Sequence, residues 1–599
     1  MDQTPPRWDL SGLYSSLADP QLQADIASTT GKLEDLQAFY DTQMKPLKDA
    51  SPDELASVLA ASVEKMNAIL LHGSKIYVYL SAVIATDSFN AEAQKMFSAF
   101  QMATIPLMRL EVILRKWLGD LGPALPSALE IPGVAREHAF YLLEEAEQSR
   151  YLMSEGEEAL AAELNLSSGE LWDNLQGTLT SQKSVEFELD GETQSMPMPA
   201  LINLRSHPEP DVRERAYKLE MQVWEEMKEP LAACLNGIKG QVNTLNARRG
   251  RSDCVHQALD QARIDRETLD AMQAAIYDAL PMFRRYFQAK AKKLGMEKLP
   301  WWSLFAPVGK TDSAYTYSEA RAMILENLAT FDPELAGLAQ QAFDENWIDA
   351  EQRSGKRGGA FCMPVAALKE SRVMANFDGS IDQVMTLAHE LGHAFHNYCA
   401  YQAGKTPLQT NTPMTLAETA SIMNETIMFH ALLAKASTPQ EELALLEAKI
   451  QGDAQTTVDI LSRFIFEKEL FERREKGILS ADEISEIMLD AQRQTYGDGL
   501  DTEVLNKFAW TWKPHYYSTQ LSFYNFPYTF GGLFGTGLYA IYEQRGNAFF
   551  KDYKQLLANT GEASAADLAA RFGIDIRSKA FWEQSLAETG KLIERYAAL

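Results

Sequence analysis

Three of the chain's nine histidines, His389, His393 and His396, fall within eight residues, and Glu390 directly follows the first. The core of this run is H-E-x-x-H. Residues four apart on a helix lie one above the other, so two imidazoles can reach one ion with a carboxylate beside them. These residue types suit zinc. The imidazoles hold the ion, the ion acidifies water, and the carboxylate takes up the proton. Peptide-bond hydrolysis is the chemistry such an arrangement performs.

A catalytic zinc usually takes a third protein ligand. From Ala394 to Ala417 the chain has no Asp or Glu; Glu418 comes next, and Glu425 is the only further acid before residue 441. A helix capped by Thr412, with Pro413 in its first turn, would carry both glutamates on one face. Glu418 could then complete the site while Glu425 holds the second nitrogen of a ligand imidazole. A plainer role is also open, because Thr415-x-x-Glu418 is a capping-box pattern. His396 shares a face with the other two histidines. It lies about 10 Å along an unbroken helix from His389, too far for one ion to bridge. We expect it to line the cleft or stand behind the ligands.

The elements around the motif follow from local pattern. Ser380 with Gln383 marks a helix start and Gly404 a helix end. Between them Val384, Leu387, Ala388, Leu391, Phe395 and Tyr398 form an apolar stripe, with His389 and His393 roughly 160° away. Arg372–Phe377 reads as a strand leading into this helix and as the natural edge for a peptide to pair with. The glycine-rich run from Gly355 enters another strand. A hairpin is expected around Val185–Thr193, turning at Asp190-Gly191. Helical patterning covers about residues 20–180 and 209–296, followed by an irregular stretch over roughly 297–318. A lobe boundary is expected at 195/196, dividing a helical N-terminal lobe (1–195) from the catalytic remainder (196–599).

A hydrolase of this kind needs donors for the oxyanion. Phe508–Phe530 is dense in aromatics, including Trp510, Trp512, His515, Tyr516, Tyr517, Phe523, Tyr524 and Tyr528. Such density usually means core packing, yet His515 and several phenols could supply donors. The glycines from Gly531 to Gly537 lack the Lys-Ser/Thr ending of a phosphate loop and read as a mobile turn near a cleft.

Bulk properties narrow the partners. The chain has 599 residues and a formal net charge of −27, which disfavours nucleic acid and anionic membranes. Its start has neither a basic nor an apolar region of the signal type, and no apolar run of about 18 residues stands out, so no membrane span is expected. Four scattered cysteines suggest a reduced, cytoplasmic setting.

Taken together, these residues make the chain resemble the oligoendopeptidase F branch of the thimet-oligopeptidase-like zinc metallopeptidases. The likeness covers nearly the whole length. It includes Trp8-Asp-Leu, the segment from Leu152 to Leu160, the run from Gly355 to Phe361, the histidine motif and Leu416-Ala-Glu418. The aromatic block after His515 and the endings Phe572–Ile576 and Phe581-Trp582 also fit. The resemblance implies a mainly α, two-lobed, clam-like body with a deep central channel and a small β-sheet beside the active-site helix. It implies one Zn2+ per chain held by His389, His393 and Glu418, with Glu390 as base. It further implies that His515, Tyr517, Tyr524 and Tyr528 contact substrate or stabilise the oxyanion, although Phe523 and Phe526 stand where a shifted alignment would put a phenol. The implied activity is zinc-dependent cleavage of internal bonds in short unfolded peptides. Two alternatives stay open: a peptidyl-dipeptidase of the same fold, and a peptide-binding protein with a vestigial site.

Overall fold

The computed structural model describes residues 4–44, 50–309 and 314–599. The first three residues of the chain, and part of the irregular stretch expected over 297–318, lie outside the described residues. The fold is mainly helical, with a two-stranded and a three-stranded sheet. Two compact units separate, each assembled from three chain segments.

The first unit comprises Met1–Leu152, Ser313–Ala431 and Ile541–Gly573. Its N-terminal helices are Pro20–Gln43, Pro52–Thr86 and Ala91–Leu121. Asp19, Ser51 and Asn90 cap them by accepting backbone N–H groups of the first turn, and Pro20 and Pro52 occupy starts where no N–H is needed. Leu36, Leu59, Val63, Met66, Leu110 and Leu114 fill the core between them. The helices Pro52–Thr86 and Ala91–Leu121 reach the length and mean hydropathy of a membrane span, a property that buried core helices share.

The same unit holds the three-stranded sheet, with β3 (Ile348–Asp349), β4 (Phe361–Val365) and β5 (Glu370–Met374) in the order β3-β5-β4. β5 pairs parallel with β3 and antiparallel with β4, with Phe361 opposite Met374 and Val365 opposite Glu370. This corrects the expected edge. The strand within Arg372–Phe377 is central, because the two-residue β3 occupies its other side, and β3 and β4 are the two edges.

The second unit comprises Met153–Asp312, Leu432–Ala540 and Ile574–Leu599. Within it β1 (Ser184–Leu189) and β2 (Glu192–Pro197) form the expected hairpin. Asp190 and Gly191 both have positive φ, 54° and 80°, as a tight two-residue turn demands. Position 195/196, where a lobe boundary was expected, falls inside this unit. Phe187 and Met196 of the hairpin join Leu201, Trp224, Leu235 and Phe466 in one core, so the chain has no reason to part there. The buried Lys239–Glu467 pair, at 2.6 Å, ties the helices Pro210–Arg248 and Ile460–Lys476 together. Residues 531–537 are helical, part of Phe526–Arg545, rather than a turn. At one of these glycines close packing excludes a side chain: a Cβ on Gly537 would stand 2.6 Å from the Phe581 ring.

Candidate metal centre

Ser380 starts the motif helix Ile381–Gln402, its hydroxyl accepting the Gln383 N–H at 3.3 Å. Gly404, at φ +70°, follows its end in the left-handed conformation that releases a helix. Val384, Leu387, Ala388, Leu391 and Phe395 are buried on one side, while the side chains of His389 and His393 remain 22% and 23% exposed. The helix packs on β4 and β5, and Asn397 donates to Ser371 Oγ at 3.1 Å. The loop before β4 is held by Lys356, whose fully buried ammonium pairs with Asp349 at 2.7 Å and caps the Ala375 carbonyl at 2.5 Å.

A second element crosses the motif helix. The expected single helix from Thr412 is two pieces, Met414–Ala417 and Thr419–Lys435, with Glu418 at the break. Pro413, not Thr412, precedes the first piece and offers no side-chain cap; Thr412 instead meets Thr560 through their hydroxyls at 2.7 Å. The break lets Glu418 accept from Ser421 at 2.7 Å while its Oε2 reaches the histidines. Asn424 donates to the Ala388 carbonyl at 3.0 Å and locks the crossing.

Gly392 makes this approach possible. A Cβ there would lie 2.5 Å from the Ala420 carbonyl oxygen and 2.6 Å from Ser421 Cα, both backbone atoms that cannot swing away. The sequence reading passed over Gly392, Ser421 and Asn424. The available signal was a glycine in the interior of an otherwise strong helix, which often marks close backbone approach. Gly392→Ala is expected to lower stability by about 1–3 kcal/mol, the usual range for forced overpacking. Urea unfolding measures it, and an unchanged midpoint would contradict the contact.

The side chains converge as follows. His389 Nε2 and His393 Nε2 are 3.1 Å apart, and Glu418 Oε2 lies 3.3 Å from the first and 3.4 Å from the second. Among the described residues these three form the cluster able to hold a metal ion. Their separations match the roughly 3.3 Å that ligand atoms need around a tetrahedral ion bonded at about 2.0–2.1 Å. Glu425 Oε1 stands 2.5 Å from His389 Nδ1. It therefore accepts the Nδ1–H and leaves Nε2 as the nitrogen that faces the cluster. Burial works to lower the His389 pKa, but the Glu425 hydrogen bond and the surrounding carboxylates push it up to about 9. Burial likewise works to raise the Glu418 pKa, yet the hydrogen bond from His393 and the two imidazoles bring it down to about 2. The pocket thus attracts positive charge strongly, which is what a bound cation requires.

Glu390 and His396 line the same cavity, of about 490 Å³, together with Phe361 and Cys362 of the edge strand β4. Glu390 is 5% exposed, and its Oε2 has no hydrogen-bond partner among the described residues. Burial raises its pKa against the pull of His389 and His393. His396 is buried, pairs with Thr560 Oγ1 at 2.9 Å and is pushed down to a pKa of about 4 by burial. It is thus a neutral wall residue outside the three-atom cluster.

The aromatic candidates all belong to the second unit. His515 stacks on Tyr524 with ring centres 5.7 Å apart, and the Tyr524 and Tyr528 hydroxyls are 2.7 Å apart. Phe523 positions them: its φ of +55° turns the chain while its ring packs between Phe464 and Phe471. Tyr517 departs from expectation. It is fully buried and donates to the Trp510 carbonyl at 3.3 Å, so it is a core residue with no surface to offer a substrate. Phe523 and Phe526 are buried as well.

Comparison with known proteins follows the same lines. The model of peptidase family M3 matches residues 203–588. The plasmid-encoded oligoendopeptidase F of Lactococcus lactis subsp. cremoris is 26% identical over 618 residues, spanning 98% of this chain and 97% of that protein. An oligoendopeptidase F homolog of Lactococcus lactis subsp. lactis (strain IL1403) is 25% identical with the same coverage. The crystal structure of oligoendopeptidase-F from Enterococcus faecium superposes with a TM-score of 0.68 at 19% identity, covering 96% of this chain and 98% of that one.

Proposed function

Since this chain belongs to peptidase family M3, and is thus a peptidase, we propose that it is a zinc-dependent oligoendopeptidase cutting internal bonds of short unfolded peptides. The observation that carries the reading is Glu418 Oε2 lying 3.3 and 3.4 Å from two imidazole nitrogens, beside a Glu390 oxygen that nothing else engages. In this proposal His389, His393 and Glu418 hold the ion, and Glu425 orients His389 and keeps its Nε2 basic. Zinc, when bound, supplies a Lewis acid for the scissile carbonyl and acidifies water. Glu390 accepts the proton of the attacking water. Glu390 then delivers that proton to the leaving amine. The β4 edge borders the same cavity, so a peptide backbone laid along Phe361 and Cys362 would pair as an added strand. His396 stays neutral and shapes the wall. His515, Tyr524 and Tyr528 keep the substrate-contact role that the family resemblance implies, and the buried Tyr517 is left out.

The test combines metal analysis with digestion of C-terminally amidated peptides. The purified protein is expected to hold one zinc per chain. Chelation should abolish cleavage and added zinc restore it. Amidated peptides should be cut internally as well as their free acids. Full activity in the metal-free protein would overturn the zinc reading, and loss of cleavage on amidation would make the enzyme an exopeptidase.

A further inference from the structure

A second cavity, of about 290 Å³, lies wholly within the second unit and is lined by Arg205, Arg213, Arg463 and Lys513 with only Glu220 and Asp459 opposing them. That leaves two positive charges in excess inside a chain whose overall charge is −27. The two carboxylates are already engaged. Arg463 and Tyr496 bind Asp459, and Glu220 accepts from Trp224 and Asn506, each at 3.2 Å. Burial also raises the Glu220 pKa, which weakens its use as a counter-charge.

Arg213 directs its terminal nitrogens to the His207 and Pro208 carbonyls and to Ser303, and Arg205 lies over the Phe305 ring, but other donors around this cavity are idle. Lys513 is 9% exposed, and its ammonium makes no hydrogen bond among the described residues; it only overlies the Trp512 ring at 4.6 Å. Arg213 Nε, Arg463 Nε, Trp512 Nε1 and His515 Nε2 are buried without hydrogen-bond partners among the described residues. Uncompensated buried cations and orphaned donors are both costly, and they occur together where a ligand supplies what the protein omits. Arginine and indole N–H groups donate without accepting, so the missing ligand is an acceptor with negative charge.

We propose that this cavity binds a small anion, a free inorganic anion or the carboxylate of a short peptide's C-terminus, between Lys513, Arg463 and the Trp512 N–H. The anion would satisfy the idle donors and balance the excess charge. It would also hold Lys513 protonated, where burial and the neighbouring Arg463 otherwise press its pKa down to about 7.

Calorimetric titration of the full-length, metal-loaded protein tests this. The titrants are sodium phosphate, chloride and acetate, then a blocked dipeptide as free acid and as amide, with ionic strength held constant by a bulky sulfonate. At least one titrant is expected to bind saturably at one per chain. Lys513→Met should weaken that binding at least tenfold, and Trp512→Phe, which removes one donor without changing charge, should weaken it severalfold. Binding of phosphate or chloride assigns the site to free anions, while binding of the dipeptide acid but neither its amide nor the salts assigns it to a peptide end. If no titrant binds, or if binding is undiminished in both variants, the proposal fails. Binding that vanishes with the metal but survives Lys513→Met belongs to the metal centre and equally overturns it.

Discussion

Glu390→Gln is expected to lose at least about a hundredfold in turnover, the lower range for removing a general base, while keeping its metal. The substitution is nearly isosteric, so the 490 Å³ cavity it lines keeps its shape. Glu390 is not one of the three atoms that converge on the candidate ion position, so metal affinity should change little. The amide cannot accept a proton from water. It also relieves a buried carboxylate whose Oε2 lacks a partner, so stability should hold or rise slightly. Steady-state kinetics and metal analysis on one preparation check both halves. Wild-type turnover in the variant would remove Glu390 from the mechanism, whatever the fate of the metal.

Glu418→Ala should separate from His396→Ala in the opposite sense. Glu418 Oε2 supplies one of three converging donors, and Ser421 and the two imidazoles hold it ionised. Loss of an outer partner of a metal ligand typically costs 10–100-fold in affinity, so loss of a direct ligand should exceed about 100-fold. His396 is 7% exposed and tied to Thr560, so its truncation opens a hole and costs about 1–3 kcal/mol of stability. Zinc titration of the two variants should show near-normal affinity in His396→Ala and severe loss in Glu418→Ala. The reverse pattern would exchange their roles.

Much of the fold was legible because some signals are local. The hairpin turn followed from Asp190-Gly191, since both positions need positive φ. The long N-terminal helices followed from apolar residues spaced three and four apart, as the buried face of Pro52–Thr86 shows. The errors share one cause, that neighbours distant in sequence decided the outcome. β5 is central because β3, only two residues long and more than twenty residues upstream, pairs with it. Residues 531–537 are helical, within Phe526–Arg545, and Gly537 is small where the distant Phe581 ring lies against it. The hairpin belongs to the second unit because its core partners, such as Phe466, lie far downstream. Tyr517 lost its expected role for the same reason, since no property of the aromatic run says which rings face inward.

The candidate site divides along the same line. That His389 and His393 share a helix face with Glu390 between them is a consequence of helical geometry, readable from a few residues and a capped start. That an acid must come from elsewhere, and that Glu418 is the first one available, followed from simple absence in between. The meeting itself did not. It depends on Gly392 letting two backbones touch, on a helix break at Glu418, and on Glu425 reaching behind His389. Those are distances between segments, fixed by packing of whole surfaces, and no local spacing encodes them. The cationic cavity of the second unit is the extreme case: its residues are spread from Arg205 to His515, and only folding brings them together.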